Sequence, residues 1–547
     1  MHLAPLLLVL VSSVLALESL FSAFDWMALP ALDFPYEFFG LDEVASWQRR
    51  RSFGVVIDAG SSGSRALVYS WRLDSSDSDE EPGLPRITKA FPAAADDADR
   101  PSFKDISPGL SSLAADPSKD NVEAYLKPLI EFAQDAIPNY KHSETKLFLL
   151  ATAGMRLIPQ DAQDAILLHA CAAVKMHSDF DVSEGCDKHF RIITGEDEGL
   201  YGWVAVNYLN GGFGDPEKQS PPPPYPDSPR SYGFMDMGGA STQFAFEPTE
   251  EMKKLHGKTL KHVQLRNLDG SDVSYQIFVS TFLGFGVNEA RRRYVEGLAE
   301  DSGLIITAPP ARTVPDRDTT GLGIPDQTYF INKYFKTPTE VFDPCLPTNL
   351  SIKAEKHLSR LMQPNPPPDL VGTGSLQKCL SSLHPYLRKS RPCTQKPCLF
   401  DGVSAPIANF AKHRFIGVSE YYYTPTSVPG AVTHGGAYRF SEFLKNADKS
   451  CKGPYEVLNE TYTETHGTPL EPGSVEEDRV RLQCFKSAWV LEVLHDGFGI
   501  PREDVLSSAG EESSTFEPAN ELNGFKISWT LGAMLLHVST LIKPQLP

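Results

Sequence analysis

Two stretches of this chain, VVIDAGSSGSRALVYSW and GFMDMGGASTQFAFE, follow one plan. Each runs apolar strand, Asp, any residue, Gly, small residues, then a second alternating strand. Asp58 aligns with Asp236, Gly60 with Gly238 and Ser62 with Ala240, about one domain's length apart. One Asp-x-Gly turn is an ordinary tight turn. Its repetition, with matched strands on both sides, indicates two related lobes, each offering a hairpin turn to a shared cleft.

Such turns suit a polyphosphate. Gly permits positive φ and close backbone approach, so successive N–H groups can converge on an anion. Serine and threonine hydroxyls add short donors without bulk. An Asp at the strand end repels phosphate directly, but it can hold a hydrated Mg²⁺ or Ca²⁺ that bridges to the phosphate oxygens.

The surroundings read as α/β. Residues 119–137 have apolar spacing for a helix, KLFLLATAG is a buried strand with a Gly turn, and DAQDAILLHACAAV is a helix. FRIITGEDEGLYGWVAVNYL reads strand, turn, helix. This alternation predicts an α/β fold with a substantially parallel sheet. Residues 74–82 form an acidic loop and 219–229 a polyproline surface loop. At 547 residues the chain is too long for one core.

The formal net charge of -19 disfavours a phosphate backbone as partner, so nucleic acid is excluded as the main ligand. A small phosphorylated substrate stays open, because a local cleft can oppose the global field.

The apolar run Leu3 to Leu17 makes residues 1–18 a signal peptide or signal anchor, and either places the body outside the cytosol. Residues 19–52 read as a linker ending in Arg49-Arg50-Arg51, a solvated charge run or a processing site. The eight cysteines then suggest disulfides. Sequential pairing is the expectation, Cys171–Cys186, Cys345–Cys379, Cys393–Cys398 and Cys451–Cys484, although sequence leaves connectivity open. Asn349 and Asn459 carry glycosylation sequons.

Five segments together, IDAGSSGSR (57–65), ATAGMRL (151–157), ITGEDEGLYGW (193–203), MDMGGASTQ (235–243) and SWTLGAML (528–535), closely resemble the nucleoside triphosphate diphosphohydrolase (apyrase) family, in particular its fungal Golgi branch. SPGLSS, VSTFLGFG, VSEYYYT and LHDGFG extend the likeness, which covers about residues 53–543. The resemblance implies two lobes of the actin, Hsp70 and sugar-kinase (ribonuclease H-like) type with the active site between them. Lobe I is expected over 53–193, completed by about 506–543, and lobe II over 194–505. The branch usually carries a membrane span near its C-terminus; here the chain stops at Pro547, so attachment stays open, as does oligomeric state.

Roles follow from both lines. A water in line with a terminal phosphorus needs a carboxylate within reach. The resemblance assigns this to Glu198, next to the Gly199 turn, whereas Glu196 and Asp197 suit a helix N-terminus. It implies Ser241 as the residue orienting the water, with Gln243 assisting. Asp58 and Asp236 are the expected metal holders, through water. Ser61, Ser62, Gly63, Ser64, Gly238, Gly239 and Ala240 are expected on phosphate, joined by Thr152 and Ala153 of the second motif. Arg156 either contacts phosphate or braces the turn against a carboxylate, and Arg65 reads as structural. A nucleobase needs a stacking face; of Tyr421, Tyr422 and Tyr423, which fall where the family has such a ring, Tyr422 is the choice. Trp203 and Trp529 read as core anchors. The histidines show no ligand pattern, so the metal site reads as oxygen-only, favouring Ca²⁺ or Mg²⁺ over zinc.

The expected activity is hydrolysis of nucleoside tri- and diphosphates to the monophosphate in the secretory pathway, in the Golgi lumen or after secretion. A nucleoside diphosphatase preferring GDP or UDP is the nearest alternative. A sugar or acetate kinase would need a cytosolic setting and an acceptor pocket. An exopolyphosphatase would need a basic channel, and an Hsp70-like binding protein would need a further peptide-binding module.

Overall fold

A computed structural model describes residues 47–73, 83–89, 103–213, 229–302, 339–354, 367–428, 438–503, 505–506, 512–513 and 515–545. The signal-like segment, most of the linker, the acidic loop and nearly all of the polyproline stretch lie outside these residues.

Strands β1 (Ser52–Ala59) and β2 (Ser64–Trp71) form an antiparallel hairpin in which Asp58 faces Arg65 and Ala59 faces Ser64. Strands β3 (Ile87–Lys89) and β4 (Phe103–Ile106) pair with β2. On the other side, β5 (Lys146–Ala151) runs parallel to β1, and β6 (Phe190–Ile192) parallel to β5. The second sheet repeats this plan. Strands β7 (Gly233–Met237) and β8 (Ser241–Phe246) form the hairpin, with Asp236 facing Gln243 and Met237 facing Thr242. Strand β10 (Asp272–Leu283) extends it beyond β8, with β9 (Lys261–Arg266) at its edge. After β11 (Glu340–Asp343), β12 (Ser351–Lys353) and β13 (Asp369–Gly372), which form a small separate sheet, β14 (Phe415–Ser419) returns parallel to β7. Strand β15 (Phe516–Pro518) then lies parallel to β14. The duplicated two-lobed α/β architecture is therefore present, with matching register in both hairpins.

The sheets are mixed rather than substantially parallel. A tight turn can only join antiparallel neighbours, so each lobe begins with hairpins and gains parallel strands after helical crossovers. Helix α1 (Lys119–Ala136) supplies one crossover and buries Val122, Leu126, Leu129, Ile130 and Ala133, at helical spacing, beneath the first sheet. Helix α2 (Gln160–His177) packs beside it, stapled by Cys171–Cys186.

Helices α3 (Gly195–Leu209) and, at the C-terminal end, Trp529–Leu541 lie in one apolar cluster fed by both sheets: Val56, Leu67 and Tyr69 from the first, Phe234, Ala245 and Ile277 from the second. Trp203 and Trp529 are buried in it. The helices approach closely because position 532 is Gly; a Cβ there would overlap the Tyr201 carbonyl oxygen. The expected return of residues 506–543 to lobe I therefore divides. β15 extends the second sheet, and the terminal helix bridges the two.

The remaining disulfides join Cys345–Cys379, Cys393–Cys398 and Cys451–Cys484. Asn349 is exposed in a turn with φ 64°, whereas Asn459 is half-buried within the helix Tyr455–His466. Arg51 does not sit in a simple solvated run: its guanidinium bonds the Ser70 and Thr88 hydroxyls and lies over Trp47. No described helix is long and apolar enough to cross a membrane.

Candidate active site

The two hairpin turns meet. A Cβ on Gly239 would lie 2.7 Å from the hydroxyls of both Ser61 and Ser62, so a larger residue would displace these hydroxyls and glycine lets the two turns meet without that. Helix α4 (Val287–Asp301) begins at this junction. The Val287 and Asn288 N–H groups donate to the Gly238 and Gly239 carbonyls, and Asn288 Nδ2 donates to Ser62 Oγ at 3.3 Å. A cavity of about 890 Å³ opens here, lined by Asp58, Ser61, Ser62, Gly63, Thr152, Ala153, Glu198, Asp236, Gly238, Gly239, Ala240 and Ser241. Residues from both hairpins and both intervening motifs thus face one space.

The three acids at the start of α3 separate by helical geometry. Asp197 closes a capping box with Thr194. Glu196 reaches outward to Lys261. Glu198, one position on, turns inward and is buried. Gly199 makes this possible, since a Cβ there would lie 2.9 Å from Val279 Cγ1 and 3.4 Å from Gln243 Cβ. Glu198 Oε2 accepts from Arg156 Nη2 at 2.6 Å and from Gln243 Nε2 at 3.3 Å. Gln243 Nε2 also donates to Ser241 Oγ at 2.7 Å, tying carboxylate and hydroxyl into one network. Arg156 therefore braces Glu198. Burial pushes the Glu198 carboxyl up to about 8, against the opposing pull of Arg156 and with help from Asp236 and Asp58.

Asp58 and Asp236 occupy matching positions, both are buried, and Oδ1 of each has no hydrogen-bond partner. Burial raises both carboxyls, Asp58 to about 6; Arg65 pulls each back, and Asp236 pushes Asp58 further up. Ser419 bonds Asp236 from a backbone at φ 56° and ψ -125°, a region other residues than glycine seldom enter. Two symmetric, water-starved carboxylates with orphan oxygens fit a divalent cation held by oxygen donors.

Some expectations need correction. Ser64 does not face the cavity: it is fully buried and its Oγ accepts from the Tyr125 hydroxyl at 2.9 Å. Tyr422 does not line the cavity either. Tyr421 is buried with its hydroxyl on Thr242, Tyr422 packs edge-on against Tyr423, and Tyr423 alone of the three lines the space. On a helical turn (Glu420–Thr426) consecutive rings point in different directions, which strand-like alternation could not anticipate. Arg65 is exposed and lines the cavity, as do Lys526, Arg479 and Lys486. Asn288, Ser419 and Lys526 were not singled out from sequence. Arg65 was legible in principle, because a hairpin that pairs Asp58 with Arg65 puts both on one face. Away from the cavity, His384, Glu492 and Asp496 bring ligand-type atoms within 4.8 Å of one another, but His384 bonds Glu492 and Asp496 pairs with Arg502.

Residues 44–545 match the GDA1/CD39 (nucleoside phosphatase) family. The chain is 35% identical over 508 residues to the Golgi apyrase of Schizosaccharomyces pombe, covering 90% of this chain and 77% of that protein. It is 36% identical over 493 residues to the Golgi apyrase of Saccharomyces cerevisiae, covering 89% and 70%. Among solved structures, nucleoside triphosphate hydrolases from Neospora caninum superpose with a TM-score of 0.52 at 14% identity, over 92% of this chain and 95% of that one, a likeness of fold.

Proposed function

The chain belongs to the GDA1/CD39 (nucleoside phosphatase) family, and on that premise we propose that it is an apyrase, a phosphoric anhydride hydrolase that removes terminal phosphates from nucleoside tri- and diphosphates. The observation that carries this reading is the buried Glu198, bonded to Arg156 and Gln243 in the cavity where both hairpin turns meet.

The chemistry follows from the residues. Backbone N–H groups of the two Gly-containing turns, with the Ser61 and Ser62 hydroxyls, receive the phosphate oxygens and stabilise charge on the transferring group. Gln243 donates to Ser241 Oγ, leaving the Ser241 hydroxyl proton free to orient an attacking water. Glu198 as carboxylate accepts that water's proton; water attacks phosphorus, so no phosphoenzyme forms. Asp58 and Asp236, whose Oδ1 atoms have no hydrogen-bond partner, would hold a divalent cation, and all-oxygen donors would favour Ca²⁺ or Mg²⁺. When bound, the cation offsets charge on the terminal phosphates. Tyr423 takes the stacking role. The basic side chains around the cavity explain how a chain of net charge -19 accepts a polyanion. The disulfides and the Golgi apyrase relatives favour work in the Golgi lumen or after secretion.

The test is phosphate release from ATP, ADP, GDP and UDP with Mg²⁺ or Ca²⁺ by the wild type and Glu198→Gln. Metal-dependent release that falls about 10²–10⁴-fold in the variant, with nucleotide still bound, is expected. No release from the disulfide-intact wild type with either metal refutes the hydrolase reading.

A further inference from the structure

Consecutive basic residues occur at four places in this chain: Arg49-Arg50-Arg51, Lys253-Lys254, Arg291-Arg292-Arg293 and Arg388-Lys389. The fold treats the two arginine triplets oppositely. Arg291 to Arg293 lie within α4, where Arg291 is buried and pairs with Asp343 at 2.6 Å, while Arg292 pairs with Glu289 and Glu296. A protease reaches that backbone only by unwinding a packed helix. Arg49 and Arg50 are exposed, at the end of a short helical turn that precedes β1. The Arg51 N–H closes this turn on the Gln48 carbonyl. A single turn gains little from its own hydrogen bonds, so the segment straightens readily into the extended form that a protease binds.

Arg51 is where the fold takes hold. Its guanidinium donates to the Ser70 and Thr88 hydroxyls at 3.0 and 2.7 Å and to the Ser70 carbonyl at 3.3 Å, and β1 begins at the next residue. A side chain held in this way is not offered to a protease's specificity pocket, whereas those of Arg49 and Arg50 face solvent. We propose that the Arg50–Arg51 bond is a processing site for a secretory serine protease that cleaves after paired basic residues. Water adds across that bond, leaving a carboxylate on Arg50 and an amino group on Arg51. The cut severs residues 1–50, the signal-like segment among them, and leaves every described strand in the body. Trp47, which packs on the first lobe's apolar cluster and against Arg51, goes with the released piece. Such a site needs the secretory setting proposed above and is independent of the catalytic chemistry.

The folded chain, purified from a host without such proteases, is incubated with one of them and read by intact mass and N-terminal sequencing. A single cut is expected, giving a new N-terminus at Arg51, with Arg291 to Arg293 untouched. Arg50→Gln is expected to lose the cut and Arg49→Gln to slow it. A new N-terminus at Ser52, cleavage at Arg291 to Arg293 at a comparable rate, or no cleavage by a protease that digests a peptide of residues 45–55 overturns the assignment. In a secretory host that carries the protease, recovered wild type is expected to begin at Arg51 and Arg50→Gln to keep residues before it; wild type that keeps them too also overturns it.

Discussion

Replacing Arg156 with Met separates two roles for a motif arginine. Its Nη2 lies 2.6 Å from Glu198 Oε2, and both side chains are largely buried. A charge-assisted bond of this kind is worth about 1.5–3 kcal/mol. At 1.36 kcal/mol per pKa unit, its loss raises the Glu198 carboxyl by about 1–2 units. The direction is fixed: a cation favours the carboxylate and lowers its pKa, so removal raises it, and activity that needs the carboxylate fades at a higher pH. The assay is kcat between pH 5.5 and 9.5 at saturating nucleotide and metal, for wild type and Arg156→Met. The acidic limb is expected to move upward by about 1–2 pH units, with a loss of about tenfold or more at low pH that narrows towards the top of the range. A loss equal at every pH, or an unmoved limb with a raised KM, would refute the bracing role and make Arg156 a phosphate contact.

Asp58→Asn and Asp236→Asn are each expected to raise the metal concentration for half-maximal activity about 10–100-fold; a metal titration that superimposes on wild type removes them from the cation site. Gly532→Ala forces the terminal helix off the Tyr201 carbonyl and is expected to destabilise by about 1–3 kcal/mol, read as an earlier denaturant midpoint at unchanged m-value. His495 is buried, its Nδ1 donating to the Ile500 carbonyl at 2.8 Å and its Nε2 accepting from the Tyr438 hydroxyl. Burial holds it down at about 4, with Arg502 helping and Asp496 opposing. Unfolding frees it to its ordinary value of about 6.5. The neutral ring's contribution is therefore complete above pH 6.5 and is lost towards pH 4, about 3 kcal/mol in all. Denaturation of wild type and His495→Gln from pH 4 to 7.5 should show a shallower acid slope in the variant, since Glu492 beside it is common to both; equal slopes would discount the histidine.

What sequence could and could not disclose follows from the range of each interaction. The hairpins were legible because their determinants are local: strand, Asp, Gly and small residues within about ten positions, and repetition made the pattern specific. Their register is a finding of the structure, which sets Asp58 opposite Arg65 and Asp236 opposite Gln243. Glu198 was singled out by the family resemblance; the structure adds the reason it differs from Glu196 and Asp197, since neighbours on a helix differ by about 100° and only Glu198 of the three is buried. Contacts made across the fold were not legible. Asn288 reaches Ser62 over 226 positions, Ser64 is claimed by Tyr125 over 61, and the choice among three tyrosines depends on the direction in which one helical turn enters the second lobe. Charge shows the limit most plainly. The total of -19 disfavours a phosphate backbone as partner, yet Arg65, Arg479, Lys486 and Lys526 surround the cavity, and their convergence is a property of topology, because each comes from a different element. A phosphate-binding cleft in an acidic protein has to be assembled in this way. On the proposed reading, the global field discourages nonspecific polyanions, while a few distant cations, brought together by folding around two Gly-containing turns, favour a small one.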